Sequence, residues 1–134
     1  MIENRSSVKS NGGFFLYDKI YEILSERKLK IIMSDLVIGK ELKGTELIIS
    51  LDGKLNTLTA SDLEAELRQN IDGIETLILD MKNLEYISSS GLRVILKAEQ
   101  IMSQNGQMII RNVQKDVMDV FEVTGLNEDL NIED

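Results

Sequence analysis

Apolar and polar positions alternate with period two in "DLVIGKEL" and again in "TELIISLDG". That is the rhythm of half-buried strands, and the Lys43-Gly44 step between them predicts a hairpin. The rhythm then changes. In "NTLTASDLEAELRQNI" the apolar residues Ala60, Leu63, Leu67 and Ile71 fall three to four apart, which predicts a helix over 59–70. Thr59 is placed to cap it, with Asp62 three residues on as a capping-box-like partner. "TLILDM", residues 76–81, is a continuous apolar run of the kind buried on both faces in a parallel strand, and is expected at the centre of a sheet. "SSGLRVILKAEQIMSQNG" places Val94, Ile95, Ala98, Ile101 and Met102 on one stripe. Arg93, Lys97, Gln100 and Gln104 lie on the other face, predicting a helix over 89–104 that stops at Asn105-Gly106. "QMIIRNV" reads as a short buried strand. "QKDVMDVFEVTG" spaces Val117, Val120 and Phe121 as a helix over 114–124 ending at Gly125, and Leu130 and Ile132 mark a last short strand.

The order is β-β-α-β-α-β-α. Strand-helix-strand units require right-handed crossovers and parallel pairing, whereas the first hairpin is antiparallel. The expectation is an α/β domain with a mixed sheet of four or five strands. Upstream of it, "MIENRSSVKSNGG" is polar and reads as a mobile tail. "FFLYDKIYEILSERKLK" follows, with Phe14, Tyr17, Tyr21 and Leu24 at helical spacing and Leu16, Ile20 and Ile23 broadening that face. This helical extension is expected to bury its apolar face on its own domain or across a homodimer, the alternative being a membrane-surface or partner-binding helix. The division expected is an extension over 1–32 and a domain over 33–134.

Charge sets these parts apart. Residues 1–30 hold six Lys and Arg against four Asp and Glu, and the remainder holds nine against nineteen. A net charge of −8 repels phosphate backbones and anionic lipid heads, so neither nucleic acid nor membrane is an expected partner. No run of 18 apolar residues is present and the opening residues lack the basic-then-apolar order of a secretion signal, which predicts a soluble cytoplasmic protein. Cysteine and histidine are both absent. Thiol chemistry, the usual zinc ligands and an imidazole base go with them. No cofactor is expected, since no phosphate-binding Gly-x-x-x-x-Gly-Lys loop occurs.

The candidate chemistry sits in "ISSSGL", residues 87–92, between a strand and a helix. A nucleophilic serine is disfavoured, because the pattern is not a Gly-x-Ser-x-Gly elbow and no histidine can complete a relay. Lys97 as a base is the residual alternative. By itself the stretch reads first as an ordinary N-cap at Ser88 or Ser89, with Gly91 relieving crowding. It is also a place where a phosphate is tolerated, since a helix start presents unpaired N–H groups and the positive end of the macrodipole. Gly91, without a side chain, is expected to let a partner or kinase approach the backbone.

Three segments together, "GKLNTLTASDLEAEL", "LILDMKNLEYISSSGLRVILKA" and "VMDVFEVTGL", resemble the STAS domain of anti-sigma factor antagonists and sulfate transporters over about residues 35–132. With no transmembrane region preceding the domain, the antagonist branch is the one expected. Antagonists carry Asp-Ser-Ser-Gly-Leu, and a serine-kinase anti-sigma factor phosphorylates the first serine. Residue by residue, the resemblance implies Ser89 as the phosphorylated position, followed by Ser90, Gly91 and Leu92, with Ser88 standing where the antagonists have Asp. It implies a non-enzymatic, phosphorylation-switched regulator of transcription that binds an anti-sigma factor or serine protein kinase and is reset by a serine phosphatase. The contact residues expected are Ser88, Ser90, Gly91, Arg93, Lys97 and Gln100. The alternative is a STAS scaffold or ligand-binding adaptor without the switch.

Overall fold

The computed structural model describes residues 35–133. The tail, the helical extension and the division at residue 32 lie outside the described residues. Five strands and three helices follow in order: β1 (Leu36–Lys43), β2 (Glu46–Leu55), α1 (Thr59–Asn70), β3 (Thr76–Ile87), α2 (Ser89–Asn105), β4 (Gln107–Arg111), α3 (Lys115–Thr124) and β5 (Ile132–Glu133). A 3-10 turn, Leu126–Glu128, joins the last two.

The strands lie side by side in chain order, with β3 in the middle. β1 and β2 pair antiparallel, and every later neighbour is parallel. This is the mixed sheet expected from the sequence. Alternation assigns the faces. Leu47, Ile49 and Leu51 of β2, Leu77 and Leu79 of β3, and Met108 and Ile110 of β4 share one core with Leu63 and Leu67 of α1, Val94, Ile95, Ala98 and Met102 of α2, and Val117 and Phe121 of α3. The intervening Ile48, Ile78 and Ile109 are direct neighbours in register and form a row on the opposite face. Ile101, expected on the core stripe of α2, is 44% exposed.

Four local expectations are corrected. The hairpin loop is Gly44-Thr45, because Lys43 already pairs with Glu46. β3 runs six residues beyond Met81, to Ile87. Register shifts between Ser50 and Asp52 and between Gly53 and Lys54 return Leu84 and Ile87 to the buried side after the polar Lys82-Asn83 step. Gly53 permits this: its φ is +120°, and a Cβ there would lie 2.1 Å from the Asp35 carbonyl oxygen, which accepts from the Lys54 amide. Thr59 does not cap α1, and Asp62 forms no capping pair with it. Instead the Asn56 side chain accepts from the amides of Leu58 and Thr59, both at 2.9 Å, while the Asn56 carbonyl accepts from Ala60. The buried Thr59 hydroxyl is turned inward, donating to Lys54 O and accepting from the Asn56 amide. Finally, α3 begins at Lys115 rather than Gln114, whose side chain donates to the carbonyl of Lys82 on β3.

Candidate functional site

Leu55, the last residue of β2, organises the serine turn. Its carbonyl accepts from the Ser88 amide at 2.8 Å, and its fully buried side chain lies under the first turn of α2. A Cβ built on Gly91 would come within 2.8 Å of Leu55 Cγ and 3.0 Å of Ile87 Cγ1. Gly91 is therefore buried and serves the packing of α2 on the sheet. The expectation that it opens the backbone to a partner is corrected, because the missing side chain faces the core.

The three serines differ. Ser88 is extended (φ −96°, ψ 174°), and its Oγ accepts from the Gly91 amide at 3.2 Å, which makes it the N-cap of α2. Its carbonyl takes the first helical bond, from Leu92. Ser89 is exposed and is the first residue of the helix; Ser90 is half-buried. Among the described residues the hydroxyls of Ser89 and Ser90 have no hydrogen-bond partner, and no acidic residue lies in the first turn of α2. The amides of Ser89 and Ser90 stand in the first turn of this 17-residue helix, at the positive end of its dipole.

Further along α2, Arg93 and Gln100 are exposed. Lys97 is already engaged. Its Nζ donates to Glu64 Oε2 of α1 at 2.6 Å, and Arg68 approaches the same oxygen at 3.4 Å. The Lys97 ammonium, with a smaller contribution from Arg68, holds the Glu64 carboxyl below its usual range. Between these helices lies a groove of about 360 Å³ with Leu67, Ile71, Val94, Ala98 and Ile101 among its walls and Glu64, Arg68 and Lys97 at its rim.

One feature of the site was not anticipated from the sequence. The α1 turn beside Leu55 is tied down by Asn56, whose Nδ2 also donates to Asp35 Oδ2 at 2.9 Å, yet this turn holds Leu58 outward with 81% of its surface exposed. The readable signal was an Asn three residues before a Thr at a helix start. Among the described residues no His, Cys, Asp and Glu cluster suited to a metal ion occurs, and no helix is long and apolar enough to cross a membrane.

Several known proteins resemble this chain. BtrV of Bordetella bronchiseptica, provisionally named an anti-sigma factor antagonist, is 41% identical over 81 residues, covering 59% of this chain and 70% of that protein. The anti-sigma F factor antagonist of Paenibacillus polymyxa is 31% identical over 83 residues, covering 60% and 71%. SpoIIAA has been solved as an anti-sigma factor antagonist in its unphosphorylated form and, from Bacillus, in its phosphorylated form. The two structures superpose with TM-scores of 0.64 and 0.59 at 22% and 20% identity, covering 73% of this chain and 89% and 92% of theirs. The model of the STAS domain matches residues 38–134, well over half of the sequence, and the chain belongs to the STAS domain family.

Proposed function

We propose that this protein is an anti-sigma factor antagonist of the cytoplasm whose binding to an anti-sigma factor with serine-kinase activity is switched at Ser89. The observation that carries the reading is the division of labour in the turn: the Ser88 hydroxyl is committed to capping, while the Ser89 hydroxyl is exposed and unbonded at the start of α2. Support also comes from the names of the relatives and from the phosphorylated form in which SpoIIAA exists. In this reading the chain is a substrate and regulator, not an enzyme. The kinase transfers the γ-phosphoryl group of ATP to Ser89 Oγ; the bond to the β-phosphate breaks, ADP leaves and the hydroxyl proton passes to a base of the kinase. A serine phosphatase returns the hydroxyl by hydrolysis to inorganic phosphate.

Phosphorylation adds about −1.5 to −2 charges. Within the chain the group sits at the first turn of α2, beside the amides of Ser89 and Ser90 and the positive end of the helix dipole, so the fold tolerates it. At an interface the same group must shed water, which is costly unless the partner supplies cations. A coupling of about 3 kcal/mol weakens affinity more than a hundredfold. The unphosphorylated face that binds comprises the turn Ser88–Gly91, through its accessible Ser89 and Ser90, with Arg93 and Gln100. Lys97 contributes only if the partner competes with Glu64. The test is calorimetric titration of the recombinant serine-kinase anti-sigma factor of the same genome, together with phosphosite mapping. Ser89→Ala retains binding and blocks the switch, and Ser89→Asp weakens binding with the melting temperature nearly unchanged. Equal affinity of the two variants, or phosphate only on Ser88 or Ser90, overturns the assignment.

The groove between α1 and α2 favours a second reading, an adaptor that takes a small apolar ligand without a switch. That reading requires an intact mass free of phosphate in protein recovered from its native cell.

A further inference from the structure

We infer that Leu58 is the apolar anchor of the surface that reads Ser89, an inference that rests on the antagonist reading above. An exposed leucine is ordinary on a loose loop, but this one stands on a fixed turn. Asn56 Oδ1 accepts from the amide of Leu58 itself and from that of Thr59. Asn56 Nδ2 is held by Asp35, the Thr59 hydroxyl bridges Lys54 O and the Asn56 amide, and the Leu58 carbonyl accepts from Ser61 Oγ. Folding Leu58 inward would break several of these bonds at once, and the side chain remains 81% exposed.

The turn and the serines share one support. Leu58 is three residues past Leu55, no more than about 11 Å of chain. Leu55 accepts from Ser88 and packs under Gly91. Leu58 is thus presented at a set offset from the Ser89 hydroxyl, with exposed Thr57, Ser61 and Ser89 and half-buried Ser90 on the same two turns. An apolar residue among polar neighbours, with the exposed Asp35 and Asp62 adding negative charge, has the anatomy of a protein-binding surface. A preorganised turn also spares the partner the entropy of ordering it. The partner it fits is a protein with a leucine-sized apolar pocket beside the group that senses Ser89, so that one docking event places the hydroxyl and seats the leucine.

The experiment titrates the same recombinant anti-sigma factor with full-length Leu58→Ser, Leu58→Met, Ser89→Asp and Val123→Ser. Val123, on α3 and 87% exposed, is the control for an equally bare apolar residue elsewhere. The expected result is a loss of at least tenfold in affinity for Leu58→Ser, near-native binding for Leu58→Met and Val123→Ser, and melting temperatures within a degree or so of native, since an exposed site contributes little to stability. Native affinity in Leu58→Ser while Ser89→Asp is weakened overturns the anchor and leaves the switch standing. An equal loss in Val123→Ser overturns it as well, by showing general stickiness. Full binding by Ser89→Asp removes the switch, and the anchor falls with it.

Discussion

Ser88, Gly91 and Asn56 each do one local job, and each yields a separable expectation. Replacing Gly91 with Ala drives a methyl group to 2.8 Å from the branch carbon of a fully buried leucine. Such overpacking costs about 1–3 kcal/mol, more than alanine returns as a better helix former. Thermal unfolding should show a fall of several degrees. Asn56→Ala strips two amides of their acceptor and Asp35 of its donor, an expected loss of about 1–2 kcal/mol in denaturant titration, with the far-ultraviolet spectrum kept. Ser88→Ala leaves the Gly91 amide without its cap and costs about 1 kcal/mol, whereas Ser88→Asp keeps an acceptor and adds a charge that suits the helix start. The aspartate would also repel a phosphate on Ser89. If Ser89 is phosphorylated as proposed, the serine at position 88 would leave the helix dipole free to favour that state.

Among the elements, α1, α2 and α3 were legible because their apolar residues keep the helical period through to a clear stop; the ends of α1 match at both Thr59 and Asn70. β3 was legible only in its first half. Its second half crosses two register shifts, so Leu84 and Ile87 fall out of any fixed alternation. The cap of α1 was missed for a similar reason: the capping side chain sits ahead of the assigned helix start, and the nearer hydroxyl of Thr59 is drawn into the core. Lys97 was expected as a contact residue, and its ion pair was not legible because the partner comes from a different helix, 33 residues away. That pair gives a pH expectation. The folded-state Glu64 carboxyl titrates below its ordinary value, so its contribution is present above the unfolded pKa and is lost as pH falls through the lower folded one. Glu99 runs the opposite way, its carboxyl raised by burial. In carbon-detected NMR, Lys97→Met should move the Glu64 midpoint upward toward the usual carboxylate range and leave Glu99 in place.

At the scale of the whole molecule, a sheet wound in chain order places the ends of β2 and β3 side by side, and the candidate site is the set of turns that leaves them. Circular dichroism should report mixed helix and strand; an all-helical spectrum is incompatible with five paired strands. The Ser88 amide, bonded to Leu55 O, is an extension of the β2–β3 ladder rather than a loop contact. Its hydrogen should exchange with solvent on the slow timescale of the central strands, while the amides of Ser89 and Ser90, one and two residues on, should exchange quickly. For the proposed switch, a boundary that sharp would let the chain change state without ordering or melting a segment. On the proposed reading the message would be carried by charge on a surface that keeps its shape, and the enzymes that add and remove it would set the speed of signalling.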